Sequence, residues 1–397
     1  MNDIEQQFNI SKQFFKTNKT KDLKFRKHQL KALSKSIKNH EQALLEALNK
    51  DLGKSKVEAY ATEIGILLKS IKLARKELKN WAKTKQVETP LYLFPTKSYI
   101  KNEPYGTVLI IGPFNYPVQL VFEPLIGAIA AGNTAIVKPS ELTPNVAEVI
   151  QDIIQETFEE NYISVVKGGI EETQKLIHLP FDYMFFTGSE KVGQIIYESA
   201  AKNLVPVTLE LGGKSPVIID QTANLKVASE RISFGKFTNA GQTCVAPDYI
   251  LIDRKVKNDF INALKQTITE FYGENIKESP DFGRIVNQKH FNRLNELLET
   301  HESKTIFGGK SFEEDLYIEP TLIDNVNLQD KVMQEEIFGP ILPIITYDDF
   351  DEAIQIIQSK SKPLSLYLFS EDENSTHRVL EELSFGSGAI NDTLMHL

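Results

Sequence analysis

The stretch Gly106-Thr107-Val108-Leu109-Ile110-Ile111-Gly112-Pro113-Phe114-Asn115-Tyr116-Pro117 decides the fold. Its apolar, β-branched run is bounded by glycines and closed by a Gly-Pro turn, which is the pattern of a short buried strand. Similar runs recur at Thr134–Val137, Ile163–Val166 and Tyr183–Phe186, with helical segments between them, and Pro206–Leu209 reads as another strand. Strand and helix alternating in this way predict an α/β fold with a doubly wound parallel sheet. A second α/β stretch follows, with strands at Ser215–Ile219, Ile250–Asp253, Leu342–Ile345 and Leu364–Phe369. The boundary falls near Leu211-Gly212-Gly213.

Upstream, the first eighty residues are lysine-rich, with apolar positions such as Leu30, Leu33, Ile37 and Leu44, Leu45, Leu48 at helical spacing. They predict packing helices whose charged faces meet solvent. Pro90–Ile100 reads as two short strands around a Pro95-Thr96-Lys97 turn, a hairpin arm outside the helix-strand alternation. The predicted organisation is 1–83 with 102–210 as a dinucleotide-binding domain, 84–101 as the arm, 211–385 as a catalytic domain, and 386–397 as the start of a further segment.

Composition narrows the function. With one cysteine in 397 residues, an intrachain disulfide and a cysteine-based zinc site are excluded, no metal is expected, and a reducing, cytoplasmic compartment fits. Met1-Asn2-Asp3-Ile4-Glu5 has no basic region leading into an apolar run, so no secretory signal is expected. The most apolar region, Thr107 to Val137, is broken by Pro113, Asn115, Pro117, Glu123, Pro124 and Asn133, which predicts no transmembrane segment. A net charge of −9 disfavours nucleic acid as a partner.

That cysteine, Cys244, ends Asn239-Ala240-Gly241-Gln242-Thr243-Cys244, a small polar stretch with the character of a loop. It is either a small, inert, buried side chain or a nucleophile, and the second reading needs a base, an oxyanion donor and a cofactor site. Glu210 closes an apolar run before Leu211-Gly212-Gly213-Lys214; in semi-buried surroundings its carboxyl would be raised toward the range of a general base, and otherwise it pairs with a neighbouring lysine. Asn115, held between prolines, is a candidate oxyanion donor or an ordinary turn residue. Val137-Lys138-Pro139-Ser140-Glu141 offers Lys138 and Glu141 to the hydroxyls of a ribose, or is a plain turn.

Phe185-Phe186-Thr187-Gly188-Ser189 is a strand-to-helix turn of the kind that binds phosphate. The spacing from Gly188 to Gly193 is not the common dinucleotide fingerprint, and Gln194 rather than lysine rules out a nucleotide P-loop. A P-loop at Lys214-Ser215 fails as well, because Thr208 occupies the upstream glycine position. Met333 to Pro340 sets Glu335, Glu336 and Phe338 before a Gly-Pro turn, as site or as surface.

Taken in order, the Asn115 turn, Lys138–Glu141, Phe186–Ser189, Glu210–Lys214, Gly241–Cys244 and Glu335–Pro340 closely resemble the aldehyde dehydrogenase superfamily. Gly241 to Asp248 and Glu123 to Asn133 resemble its class 3 branch, which acts on medium- and long-chain aliphatic and aromatic aldehydes. The resemblance implies NAD(P)-dependent oxidation of an aldehyde to the acid through a Cys244 thiohemiacetal and thioester, with Glu210 activating water and Asn115 holding the oxyanion. Lys138 and Glu141 would hold the adenosine ribose, Gly188 and Ser189 the phosphates, Glu336 the nicotinamide ribose, and Phe338 would pack on it. NAD is expected, with NADP possible, and a homodimer joined through the hairpin arm. Family members continue beyond Gly386-Ser387-Gly388-Ala389-Ile390-Asn391-Asp392, so the resemblance implies a C-terminally shortened chain with its activity and oligomeric state open. The alternatives are a cysteine hydrolase or acyltransferase without nicotinamide, and a dinucleotide-binding protein without catalysis.

Overall fold

A computed structural model describes residues 3–396 and groups the chain into two compact units: the residues through Asp51 with Ala59–Glu210, and Leu52–Glu58 with the residues from Leu211 on. In the first unit, helix Leu23–Asn39 starts where the Asp22 side chain accepts from Lys24 N–H, and it buries Leu30, Leu33 and Ile37 at the expected spacing. The sheet runs Ile163–Val165, Thr134–Lys138, Thr107–Ile111, Tyr183–Gly188, Val207–Leu211 in spatial order. Thr107–Ile111 lies parallel to both neighbours, with Ile111 opposite Lys138 on one side and Phe186 on the other. Every residue of Thr107–Ile111 and Thr134–Lys138 is buried, which is why neither run alternates apolar with polar. The chain leaves Thr107–Ile111 toward one flank and later returns on the other, so the carboxyl ends of the strands at this reversal border the crevice where open α/β sheets bind ligands.

Helix Gln119–Ala131 follows the Asn115 turn. Its first N–H groups have no partner within the helix, and the buried Glu63 carboxylate supplies one, accepting from Val118 N–H at 2.8 Å and Gln119 N–H at 3.2 Å. The arm differs in register from the sequence expectation. Its strands are Lys85–Val87 and Ser98–Ile100, antiparallel, and Leu91–Leu93 is a single 3-10 turn rather than a strand. Pro90 and Pro95 remove two backbone donors from the stretch that was expected to pair.

The second unit holds a seven-stranded sheet in the order Thr305–Phe307, Thr321–Ile323, Ile341–Tyr347, Tyr249–Asp253, Pro216–Ile219, Ser365–Phe369, Ser387–Ile390. Its pairs are parallel except at the Thr305–Phe307 edge. Ser387–Ile390 lies at the edge of this sheet, parallel to Ser365–Phe369. Leu52–Glu58, expected with the first domain, groups here because Leu52 C=O accepts from Arg284 N–H at 2.7 Å and Gly53, at φ 67°, lies against the Arg284 side chain. Among the described residues, no helix is long and apolar enough to cross a membrane.

Gly112 sets the distance between the first strand and the helix behind the Asn115 turn, since a Cβ there would stand 2.2 Å from Val121 Cγ2. Gly112→Ala is expected to destabilise the protein by about 1–3 kcal/mol through overpacking. Urea unfolding followed by circular dichroism measures this, and an unchanged midpoint would show that the contact relaxes without cost.

Candidate active site

The sequence candidates divide between the units. In the first, each lies at or just beyond the carboxyl end of a strand. Asn115, 2 % exposed, lies in the turn after Thr107–Ile111, and Gly112 N–H ties that turn to Lys138 C=O at 3.0 Å. Lys138 ends the neighbouring strand, and its buried ammonium donates to the exposed Glu141 carboxylate. The two residues read as a ribose site are thus together, one held rigidly by the sheet and the other open to solvent.

Gly188 ends Tyr183–Gly188, and Ser189 is the N-cap of helix Glu190–Ala201. The Ser189 side chain makes no capping bond, so the first-turn N–H groups of this helix stay available to an anion. Glu210 requires a correction. It is exposed, on a strand whose other residues are only half-buried, so the burial from which a raised carboxyl was argued is absent. The apolar residues of Val207–Leu211 line an edge strand, and edges bury less than centres.

In the second unit, Cys244 is half-buried in a turn ahead of strand Tyr249–Asp253. Asn239, Ala240 and Gly241 take φ of 54°, 51° and 76° in succession. Such a left-handed run is costly for residues bearing Cβ and persists only where its surroundings over-determine it. Gln242 does much of this: its side chain donates to Asn239 C=O at 3.0 Å and Arg284 C=O at 2.9 Å, and accepts from Val286 N–H at 3.0 Å. Beyond the cysteine, the buried Tyr367 hydroxyl donates to Val245 C=O at 2.6 Å.

The same turn meets the segment that carries Glu336 and Phe338. A Cβ on Gly241 would lie 2.3 Å from Gly339 C=O, so glycine is required there by contact as well as by φ. Glu336 presses on Gly212, where a Cβ would come within 2.0 Å of its carboxylate. Burial, and next the charge of Asp248, push the Glu336 carboxyl up to about 8, against the Gly213 N–H, Lys214 and Lys236. Phe338 adopts φ 49°, an outlier for an aromatic residue of the kind that clusters at functional sites.

Sequence reasoning passed over Lys214 and Asp248 as site residues, although both stand in quoted motifs. Lys214 pairs with Asp248, and both side chains are nearly buried. The available signal was a charge of each sign inside otherwise apolar or small-residue stretches, since buried charges occur in pairs. Glu63 carried no signal, because the N–H groups it satisfies lie 55 and 56 residues away.

Comparison with known proteins gives the family. The profile of the aldehyde dehydrogenase family matches residues 1–396. The chain is 72% identical over 397 residues to the 4,4'-diaponeurosporen-aldehyde dehydrogenase of Staphylococcus aureus, covering 100% of this chain and 86% of the relative. Aldehyde dehydrogenase family 3 member A2 of Mus musculus is 44% identical over 393 residues, 99% of this chain and 81% of the relative. Among solved structures, the substrate-bound state of Staphylococcus aureus AldH superposes with a TM-score of 0.99 at 72% identity, covering 100% of this chain and 86% of that one. The chain belongs to the aldehyde dehydrogenase family and is, with it, an NAD- or NADP-dependent oxidoreductase.

Proposed function

We propose that the chain oxidises an apolar aldehyde, medium- or long-chain aliphatic or aromatic, to its carboxylic acid, with Cys244 as nucleophile. The observation that carries this is the over-determined left-handed turn at Asn239–Gly241, which packs against Gly339 and leads into the one cysteine of the chain. An inert cysteine needs no such turn. The apolar substrate class is supported by the similarity to the diaponeurosporen-aldehyde and family 3 enzymes.

The residues suit a coenzyme of nicotinamide and adenine nucleotides: a buried lysine with a carboxylate at one strand end, and a helix N-terminus without a side-chain cap at another. Lys138 and Glu141 would hold the adenosine ribose, Gly188 and Ser189 the phosphates, and Glu336 the second ribose with Phe338 packed beside it. When bound, the coenzyme supplies the acceptor for a hydride. Cys244 Sγ, as thiolate, bonds to the aldehyde carbon, and the oxygen takes up negative charge against the Asn115 amide and the Cys244 N–H. Loss of the C–H electron pair leaves a thioester on Cys244. Glu210, open to solvent, takes a proton from water; the water oxygen bonds to the carbonyl carbon, the C–S bond breaks, and the acid departs.

The single cysteine favours the cytoplasm as its compartment. Exposed Leu91, Tyr92 and Phe94 on the arm, at 91%, 83% and 83%, support a homodimer in which a second copy covers them.

Cys244→Ser is expected to bind NAD as the parent does while losing turnover, because no adjacent base ionises the hydroxyl; formation of NADH at the parental rate would remove Cys244 from the reaction. Glu210→Gln should slow hydrolysis by roughly 10²- to 10⁴-fold and leave an acyl group on Cys244 after one equivalent of NADH. Intact-mass spectrometry of the quenched enzyme reads this, and finding neither adduct nor burst would contradict the two-step scheme. In Glu141→Gln the Lys138 ammonium loses its carboxylate partner and becomes available to a 2′-phosphate. The ratio of kcat/KM for NADP over NAD is expected to rise roughly tenfold, about 1.4 kcal/mol. A ratio that stays fixed would move Glu141 away from the ribose.

A further inference from the structure

The segment from Val332 to Phe338 carries Glu336 without a regular hydrogen-bond ladder. A 3-10 turn at Lys331–Met333 is followed by irregular chain, ending in the left-handed Phe338. Backbone groups in such a segment take their partners from elsewhere, and here charged side chains provide them. Lys214 Nζ donates to Val332 C=O at 2.9 Å and Glu335 C=O at 3.0 Å. Asp248 Oδ1 accepts from Ile337 N–H at 2.9 Å. Arg293 donates to Glu336 C=O at 3.4 Å and Ile337 C=O at 2.5 Å. Lys360 donates to Met333 C=O at 3.3 Å.

Among these, Lys214 and Asp248 hold a particular place. The residue before Glu336 is bonded by Lys214, the residue after it by Asp248, and the two side chains pair with each other. Asp248 is fixed in turn, its N–H donating to Ser215 C=O at 2.8 Å. The pair therefore clamps the backbone on both sides of Glu336. Charge-assisted bonds resist loosening more than neutral ones, and the one to Ile337 N–H is buried.

We infer that Lys214 and Asp248 are positioning residues: by clamping Glu335 and Ile337 they aim the Glu336 carboxylate, and so set the grip on the nicotinamide half of the coenzyme while leaving the adenine half untouched. This rests on the assignment of Glu336 to the nicotinamide ribose made above. A clamp with a merely structural role would lower thermal stability without separating the two halves of the coenzyme.

The test is calorimetric titration of the purified enzyme with NAD and, separately, with ADP, using Glu336→Gln, Asp248→Asn, Lys214→Met and Lys214→Arg. Glu336→Gln should weaken NAD roughly tenfold with ADP unchanged, the scale of one lost hydrogen bond. Asp248→Asn and Lys214→Met should reproduce that pattern, and Lys214→Arg, which keeps the cation and its donors, should recover most of the NAD affinity. Lys214→Met preserves side-chain length and apolar bulk, so it carries the test if Asp248→Asn does not fold. The inference is overturned if folded Lys214→Met binds NAD like the parent, or loses ADP in the same proportion. If Glu336→Gln itself binds NAD like the parent, the ribose assignment fails and takes the clamp's function with it.

Discussion

Backbone polar groups that fall outside any helix or strand ladder must still be satisfied when buried, and this constraint shapes the segments around Asn115, Cys244 and Glu336. The turn after the first strand relies on Glu63 for the N–H groups of Val118 and Gln119. The cysteine turn relies on Gln242 and Tyr367 for the groups at Asn239, Arg284, Val286 and Val245. The Glu336 segment relies on Lys214, Asp248, Arg293 and Lys360. Regular elements supply their own partners and need only an apolar face. Irregular ones borrow partners, and each lender fixes a path for the chain that its own propensities would not select.

The division between regular and irregular explains what the sequence revealed. Runs such as Thr107-Val108-Leu109-Ile110-Ile111 and Thr134-Ala135-Ile136-Val137 announce buried parallel strands because burial on both faces is a local demand, written into consecutive residues. Cys244, Lys138, Glu141 and Asn115 stand out as candidates because those residue types lie after strands or in a glycine-containing turn. Lys214, Asp248 and Glu63 act on backbone remote in sequence, so at most an isolated charge in an apolar or small-residue stretch marks Lys214 and Asp248, and nothing local marks Glu63. The misplaced first strand of the arm has a similar origin: Pro90-Leu91-Tyr92-Leu93-Phe94-Pro95 is apolar enough for a strand, yet its prolines withhold the donors a ladder needs. Glu210 shows the limit from the other side, since an apolar run before a glutamate suggests burial, and only the position of that strand at a sheet edge decides against it.

Glycine marks the points where these irregular segments touch. Gly241 combines a left-handed φ with a Cβ position 2.3 Å from Gly339 C=O, and Gly212 leaves the space that the Glu336 carboxylate fills. Both contacts lie inside the second unit: Gly241 joins the cysteine turn, and Gly212 its own stretch, to the segment ahead of strand Ile341–Tyr347. The two turns precede neighbouring parallel strands, with Ile250 opposite Ile344. Parallel pairing thus brings two loops to one end of the sheet, and the absent Cβ atoms let them close on each other.

The buried charges of the second unit follow from the same economy of partners. Lys214, Lys236, Asp248 and the half-buried Glu336 interact with one another, and desolvation lowers Lys236 to about 8 while it raises Glu336 to about 8. An isolated buried ammonium would be expelled or neutralised. Lys214 is retained because Asp248 and the carbonyls of Val332 and Glu335 replace its water. Those carbonyls in turn depend on the lysine, having no ladder to join. The cation therefore needs the irregular chain for its solvation, and the chain needs the cation for its path. Removing either leaves the other unsatisfied, so a segment with no regular structure can still hold a carboxylate in one place.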